Sequence, residues 1–230
     1  MDWEQRPIKE KVRAWFLGQI QDRVAFRQDE CLYYLGLPAD KAILEKELNQ
    51  IYPNSFFHLF ERDPEIYMKA LSCLEESKIS SNDFMVFNSD VDSYLDGLSQ
   101  EGVSAFDVIW LDYCGPITPT RLQSVHKAVK GLSPNRVVGV TLMVGREKAS
   151  GNAFYDTFGA GNETEISCDE LTPVHFIRRA KALAEYVHSV NPNVSINILP
   201  YREKTSMMLI VFSCPQTKHS CVVVEPYLKE

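Results

Sequence analysis

Val12, Phe16, Ile20 and Val24 recur every fourth residue, with Trp15 beside them, and that spacing sets them along one side of a helix over residues 8–27. From residue 31 the pattern changes to short apolar runs alternating with helical spacings. "CLYYLG" (31–36) predicts a buried strand. Residues 39–52 predict a helix with Ile43, Leu44, Leu48 and Ile51 on one side. "FFHLFE" (56–61) is a second strand, and Asp63-Pro64 then opens a helix, because aspartate is a good N-cap and proline suits the first helical position. "DFMVFN" (83–88) is a third strand, followed by a short helix from Asp90, and "FDVIWLD" (106–112) is a fourth. Thr118-Pro119 repeats the cap-and-proline signal ahead of Leu122, Val125, Val129 and Leu132. "RVVGVTLMV" (136–144) is a fifth strand, and Thr172-Pro173 opens a helix to about Val190. "VSINILP" (194–200) and "MMLIVFSC" (207–214) close the pattern, joined by a short polar turn, and "CVVVE" (221–225) offers an edge strand.

Strands alternating with helices predict an α/β fold. The last two long strands are too close for a parallel crossover and must be antiparallel. The expected architecture is a three-layer sandwich with a mainly parallel seven-stranded sheet closed by an antiparallel C-terminal hairpin. Residues 1–30 form a helical extension that packs on the sheet or covers a site, and 31–230 form the main domain. Residues 145–171 are long, polar and Gly-rich, a length that in compact domains marks a functional or disordered loop.

Composition narrows the function classes. Hydrophobic residues make up 45% of the 230, enough for a sizeable core. No apolar run approaches the roughly 18 residues of a membrane span. The charged start "MDWEQRPIKEKVRAWF" lacks the apolar core of a signal peptide, so a cytoplasmic location is expected. Cys31, Cys73, Cys114, Cys168, Cys214 and Cys221 form no CxxC pair; Cys31, Cys73 and Cys214 sit in apolar segments and read as reduced core thiols. The five histidines show no ligand-spaced pair, so no metal is expected. Residues 31–171 carry 11 basic against 21 acidic groups, a net −10, which argues against a wide duplex-binding face. Arg178, Arg179 and Lys181 offer a local basic patch.

In an open parallel sheet, ligands bind outside the carboxyl ends of the strands. Those ends hold Gly36-Leu37-Pro38-Ala39, Glu61-Arg62-Asp63, Asn88-Ser89-Asp90, Asp112-Tyr113-Cys114-Gly115-Pro116 and Val144-Gly145-Arg146. Glu61 follows Gly36 by 25 residues, close to the roughly 20 expected of an acid that accepts both hydroxyls of a ribose diol. Helix capping is the better reading of Asp63. Asp90 has two readings of equal weight: a cap for the following helix, or a contact to the amino group of an adenine.

These positions together resemble the class I S-adenosylmethionine-dependent methyltransferases, over roughly residues 31–214. The resemblance lies in seven strands with a closing hairpin, an acid after strand two, another near the end of strand three, and an Asp-aromatic-x-Gly-Pro turn after strand four. It implies S-adenosylmethionine as methyl donor. Gly36, Leu37 and Pro38 would hold the amino-acid end of the cofactor. Glu61 and Arg62 would face the ribose, and Ser89 and Asp90 the adenine. "LDYCGP" is similar to the Asp/Asn-Pro-Pro-aromatic turn of amino-methylating members, and nearer to the Asp-Pro-Phe-Gly turn of enzymes that methylate a guanine amino group in transfer RNA. On that likeness Asp112 orients an exocyclic amine, Tyr113 stacks on the base, and Gly115 and Pro116 fix the turn. The implied acceptor is a nucleic-acid base, in RNA or single-stranded DNA; no membrane partner is expected, and the oligomeric state is left open.

The first loop departs from the family. It should carry several glycines, because glycine lets the backbone approach a ligand. "LGLPADKA" has only Gly36; Pro38 removes a backbone donor, and Tyr33-Tyr34 stands where many relatives carry an acid. A methyltransferase fold without turnover, serving as a binding scaffold, is therefore the alternative. A third reading is a receiver-like phosphoacceptor domain. There Asp112 would take the phosphoryl group, Glu61 and Asp63 would hold Mg²⁺, and Thr141 would be the switch hydroxyl. It ranks lower because Leu199, not lysine, precedes Pro200. Cys114 as a nucleophile ranks lowest, since no activating base or helix terminus is apparent beside it.

Overall fold

A computed structural model describes residues 7–24, 30–81, 83–113, 115, 118–143, 183–202, 206–214, 222–226 and 228. Its elements, in chain order, are α1 (Pro7–Arg23), β1 (Leu32–Gly36), α2 (Ile43–Ile51), β2 (Ser55–Phe60), α3 (Pro64–Glu75), β3 (Phe84–Phe87), α4 (Val91–Gly97), α5 (Gln100–Val103), β4 (Val108–Asp112), α6 (Pro119–Lys130) and β5 (Val137–Met143). A helical stretch over residues 183–190 follows, and then β6 (Ser195–Arg202), β7 (Ser206–Ser213) and β8 (Val222–Val224). Cys114, Pro116, the loop 145–171, the Thr172-Pro173 helix start and the basic patch at Arg178, Arg179 and Lys181 lie outside the described residues.

The strands form one sheet in the order β3-β2-β1-β4-β5-β7-β6-β8. β1 to β5 pair in parallel, and β7 runs antiparallel to both β5 and β6. The C-terminal hairpin is thus present, with its second strand inserted beside β5. β8 adds the expected edge strand, parallel to β6.

Two apolar layers sandwich the sheet. One face carries α4, α5, α6 and residues 183–190 over Leu35, Ile109, Leu111, Val138 and Val140. The other carries α1, α2 and α3 over Leu32, Tyr34, Phe57, Leu59 and Trp110. α1 enters this second core through Ile8, Val12, Phe16 and Ile20, with Val24 just beyond its end. Phe16 packs edge-on against Trp110, ring centroids 4.0 Å apart, and burying such a ring contributes about 1.5–3 kcal/mol.

The caps follow the local sequence. Asp63 accepts the N–H groups of Glu65 and Ile66 at the start of α3, with Pro64 as its first residue. Thr118 accepts from Arg121 ahead of Pro119 in α6. α2 begins later than its apolar spacing suggests, because Ala42 takes a left-handed conformation (φ 46) directly before Ile43. Its buried side holds Leu44, Glu45 and Leu48, and Ile51 is exposed. The thiols need correcting as well: Cys214 is buried, Cys73 is half-buried, and Cys31 is exposed, since it precedes β1 and points away from both cores. The inserted antiparallel β7 rules out the all-parallel sheet of a receiver, and Asp63 spends its carboxylate on the cap.

Candidate functional site

The strand order reverses direction between β1 and β4, which places a crevice at their carboxyl ends. A cleft of about 670 Å³ opens there, within the roughly 300–1,000 Å³ of small-molecule sites. Leu37, Pro38, Glu61, Arg62, Ser89, Asp90, Asp112 and Tyr113 all line it, so four strand ends converge on one space.

At the end of β2, Glu61 is fixed on two sides. Its N–H donates to the Phe87 carbonyl (3.0 Å), and its carboxylate accepts the Asp63 N–H (2.8 Å). Asn88, at the end of β3, donates from its side-chain amide to the Glu61 and Arg62 carbonyls (2.9 and 3.2 Å), so the two strand ends are tied together. Asp90 caps α4 through one oxygen, which accepts from Asp92 and Ser93. Its other oxygen stands 3.6 Å from the Arg62 guanidinium. The capping reading of Asp90 therefore holds, and the residue also borders the cleft.

Asp112 ends β4, in register with Thr141 of β5. The ammonium of Lys9, on the first turn of α1, is 3.9 Å from its carboxylate. The Gly115 carbonyl accepts the Met143 N–H (2.9 Å), which ties the turn after β4 to the end of β5. A Cβ on Gly115 would come 2.7 Å from the Arg121 guanidinium.

Tyr113 lines the cleft and is held in place on several sides. Its ring is 9% exposed, its hydroxyl donates to the Asp92 carboxylate, and the Arg121 guanidinium lies 4.7 Å from the ring centre. Burial, reinforced by Asp92, pushes the phenol far above its ordinary value, so it stays protonated. Gly36 has a packing reason to lack a side chain. A Cβ there would run into the Tyr34 ring and hydroxyl, so the missing side chain makes room for Tyr34 inside the protein.

Spacing alone did not reveal Lys9, Glu45, Asp92 or Arg121. Tyr34 occupies the position where an acid was expected, and its hydroxyl donates to Glu45 of α2 (3.2 Å). Glu45 is 2% exposed, and burial pushes its carboxyl up to about 7. The apolar neighbours Leu44 and Leu48 were the only sequence sign that this helix face is covered. Among the described residues, no group of three or more His, Cys, Asp and Glu side chains could hold a metal ion, and no helix is long and apolar enough to cross a membrane.

No protein-family model matches the chain, and no curated protein matches it by sequence. Solved structures do. The precorrin-6y C5,15-methyltransferase of Geobacter metallireducens GS-15 superposes with a TM-score of 0.54 at 12% identity, covering 94% of each chain. Human methyltransferase-like protein 13, solved with S-adenosylhomocysteine, gives 0.53 at 16% identity over 92% of this chain and 85% of that one. The methyltransferase domain of METTL16 gives 0.51 at 11% identity over 89% and 83%. The chain has the fold of the class I S-adenosylmethionine-dependent methyltransferases.

Proposed function

We propose that this protein is an S-adenosylmethionine-dependent methyltransferase acting on an exocyclic amine of a nucleic-acid base presented singly, in RNA or single-stranded DNA. One observation carries the reading. A single cleft joins Glu61 at the end of β2 to Asp112 at the end of β4, the positions that the resemblance gives to the ribose and to the acceptor amine.

The donor set suits that cofactor in its nucleoside half. Glu61 is an acceptor for a ribose diol, Phe60, Ile66 and Val91 supply apolar wall for a base, and Asp40 and Asp112 put negative charge beside a cation. When bound, S-adenosylmethionine supplies a methyl group made electrophilic by its sulfonium. Asp112 accepts an N–H bond from the acceptor amine and aims its lone pair into the cleft. Such a displacement depends on positioning and electrostatics, which fixed groups provide without reorganisation. The Asp63 N–H and the Asn88 amide hold the Glu61 segment still, and the Met143–Gly115 hydrogen bond does the same for the turn after Asp112.

Titration calorimetry with S-adenosylhomocysteine, run beside methyl transfer to single-stranded oligonucleotides, tests the reading. In Asp112→Asn, binding is expected to stay within a few-fold of wild type while transfer falls by about 10²-fold or more. Loss of both would make Asp112 a structural residue. The glycine-poor first loop favours the scaffold alternative, and absence of heat with the wild-type protein would move the conclusion there.

A further inference from the structure

β3 stands at one end of the sheet and pairs, in parallel, with β2. One of its two edges is spent on that pairing. The Asp83 carbonyl accepts the Phe57 N–H (2.9 Å), and the Phe87 carbonyl accepts the Glu61 N–H (3.0 Å). A strand turns the N–H and C=O groups of successive residues to alternate sides. Asp83, Met85 and Phe87 therefore bond toward β2, and Phe84 and Val86 direct their backbone groups away from it. Among the described residues, no strand pairs with that outer edge.

Edge strands that stay unpaired are usually blunted by lysine, proline or a bulge. Phe84-Met85-Val86-Phe87 has no charge and no proline, and its register with β2 runs unbroken. Met85 and Phe87 are 49% and 36% exposed on one face of this strand. The strand's ends differ in charge. Asp83 lies at its start. Arg62 lies beside its end, where the Asn88 amide donates to the Arg62 carbonyl (3.2 Å). The Arg62 side chain is 73% exposed, with its guanidinium 3.6 Å from Asp90. β8, at the opposite end of the sheet, is shorter, and the chain after it runs into Glu225-Pro226, a charge and then a residue without an N–H.

We propose that the outer edge of β3 receives β3 of a second copy of this chain, antiparallel about a two-fold axis at Val86, so that the two sheets run on as one. Such an axis makes the contact self-complementary. Val86 exchanges both backbone hydrogen bonds with Val86 of the second copy, and Phe84 faces Asn88 of the second copy, so the outward-facing groups meet one another. Met85 stands opposite Phe87 of the second copy, which brings the exposed apolar side chains together. Antiparallel pairing also carries Asp83 of each copy to the Arg62 end of the other, so opposite charges meet at both ends. The inference is independent of the methyl-transfer reading.

Sedimentation velocity of the full chain tests it. Wild type is expected to sediment as a dimer at about 100 μM and to dissociate on dilution. Met85→Lys, a change at an exposed side chain, is expected to give a monomer. Val223→Lys, the same kind of change on the opposite edge of the sheet, is expected to leave the dimer intact. Asp83→Lys should raise the dissociation constant several-fold, and adding Arg62→Asp in the same chain should restore it, a reversal that a loss of folding cannot imitate. A wild type that stays monomeric at about 100 μM overturns the inference. So does a dimer that survives Met85→Lys, whether or not Val223→Lys breaks it.

Discussion

Glu45 is one residue from Leu44 and one from Lys46, in a helix whose charged positions would ordinarily face water. Here the Tyr34 hydroxyl covers it, and burial raises its carboxyl from 4.5 to about 7, against smaller opposing contributions from its own backbone, Tyr34, Lys46 and Arg13. A carboxyl whose folded value lies above its unfolded one binds more protons in the folded state. Its stabilising contribution is therefore full below pH 4.5 and is lost as the pH rises through about 7. The loss is worth roughly 3 kcal/mol by linkage. Glu45→Gln keeps an acceptor for Tyr34 and removes the proton, so its stability in urea should change less between pH 5 and 8 than that of wild type. Identical pH slopes would show that Glu45 does not titrate in this range. At this scale, legibility in the sequence followed distance along the chain. Asp63 and Thr118 bond to N–H groups two or three residues away, and both caps were readable. Glu45 meets Tyr34 eleven residues away, and Lys9 meets Asp112 from a distant part of the sequence, so neither role could be read from neighbours.

Between elements, the seat of α1 on the sheet depends on what β5 leaves out. Gly139 stands opposite Trp110 of β4 and Val211 of β7, and a Cβ there would sit 2.5 Å from the Phe16 ring. The neighbour is a fully buried aromatic ring, not the end of a flexible chain, so it cannot yield cheaply. Gly139→Ala should cost about 1–3 kcal/mol as an overpacked core, and Phe16→Ala about 3–5 kcal/mol as a cavity. In a Phe16→Leu background the added methyl should cost clearly less, because the two residues share one volume. Urea unfolding of the four variants measures this, and simple additivity would mean that Gly139 does not set the approach of α1. The four-residue spacing from Val12 to Val24 did announce which side of α1 is buried. It could not say against what, because a helix stripe carries no address. The hairpin likewise revealed that β6 and β7 are antiparallel, but their short turn is compatible with either strand lying next to β5.

For the whole molecule, charge decides which acceptors can approach. Among the described residues, the cleft is bordered by Asp40, Glu61, Asp90, Asp92 and Asp112 against Arg62 and Arg121. Arg62 already stands near Asp90, and Arg121 lies over Tyr113. The chain as a whole carries −7. Such a rim repels a polyanion except where a strand threads one nucleotide past it. Affinity for single-stranded nucleic acid falls with salt at a slope of about −0.7 per neutralised phosphate. Two arginines at the rim therefore limit the slope to about −1.4 in a log–log plot. Fluorescence anisotropy of a labelled oligonucleotide between 50 and 200 mM salt measures it, and duplex of the same sequence should compete poorly. A slope steeper than about −3 would require four or more phosphate contacts. That would require basic groups beyond Arg62 and Arg121 to hold the strand, and the acidic cleft would then receive only the extruded base. A measurable slope near zero, with transfer to free nucleosides intact, would instead make the acceptor a small molecule.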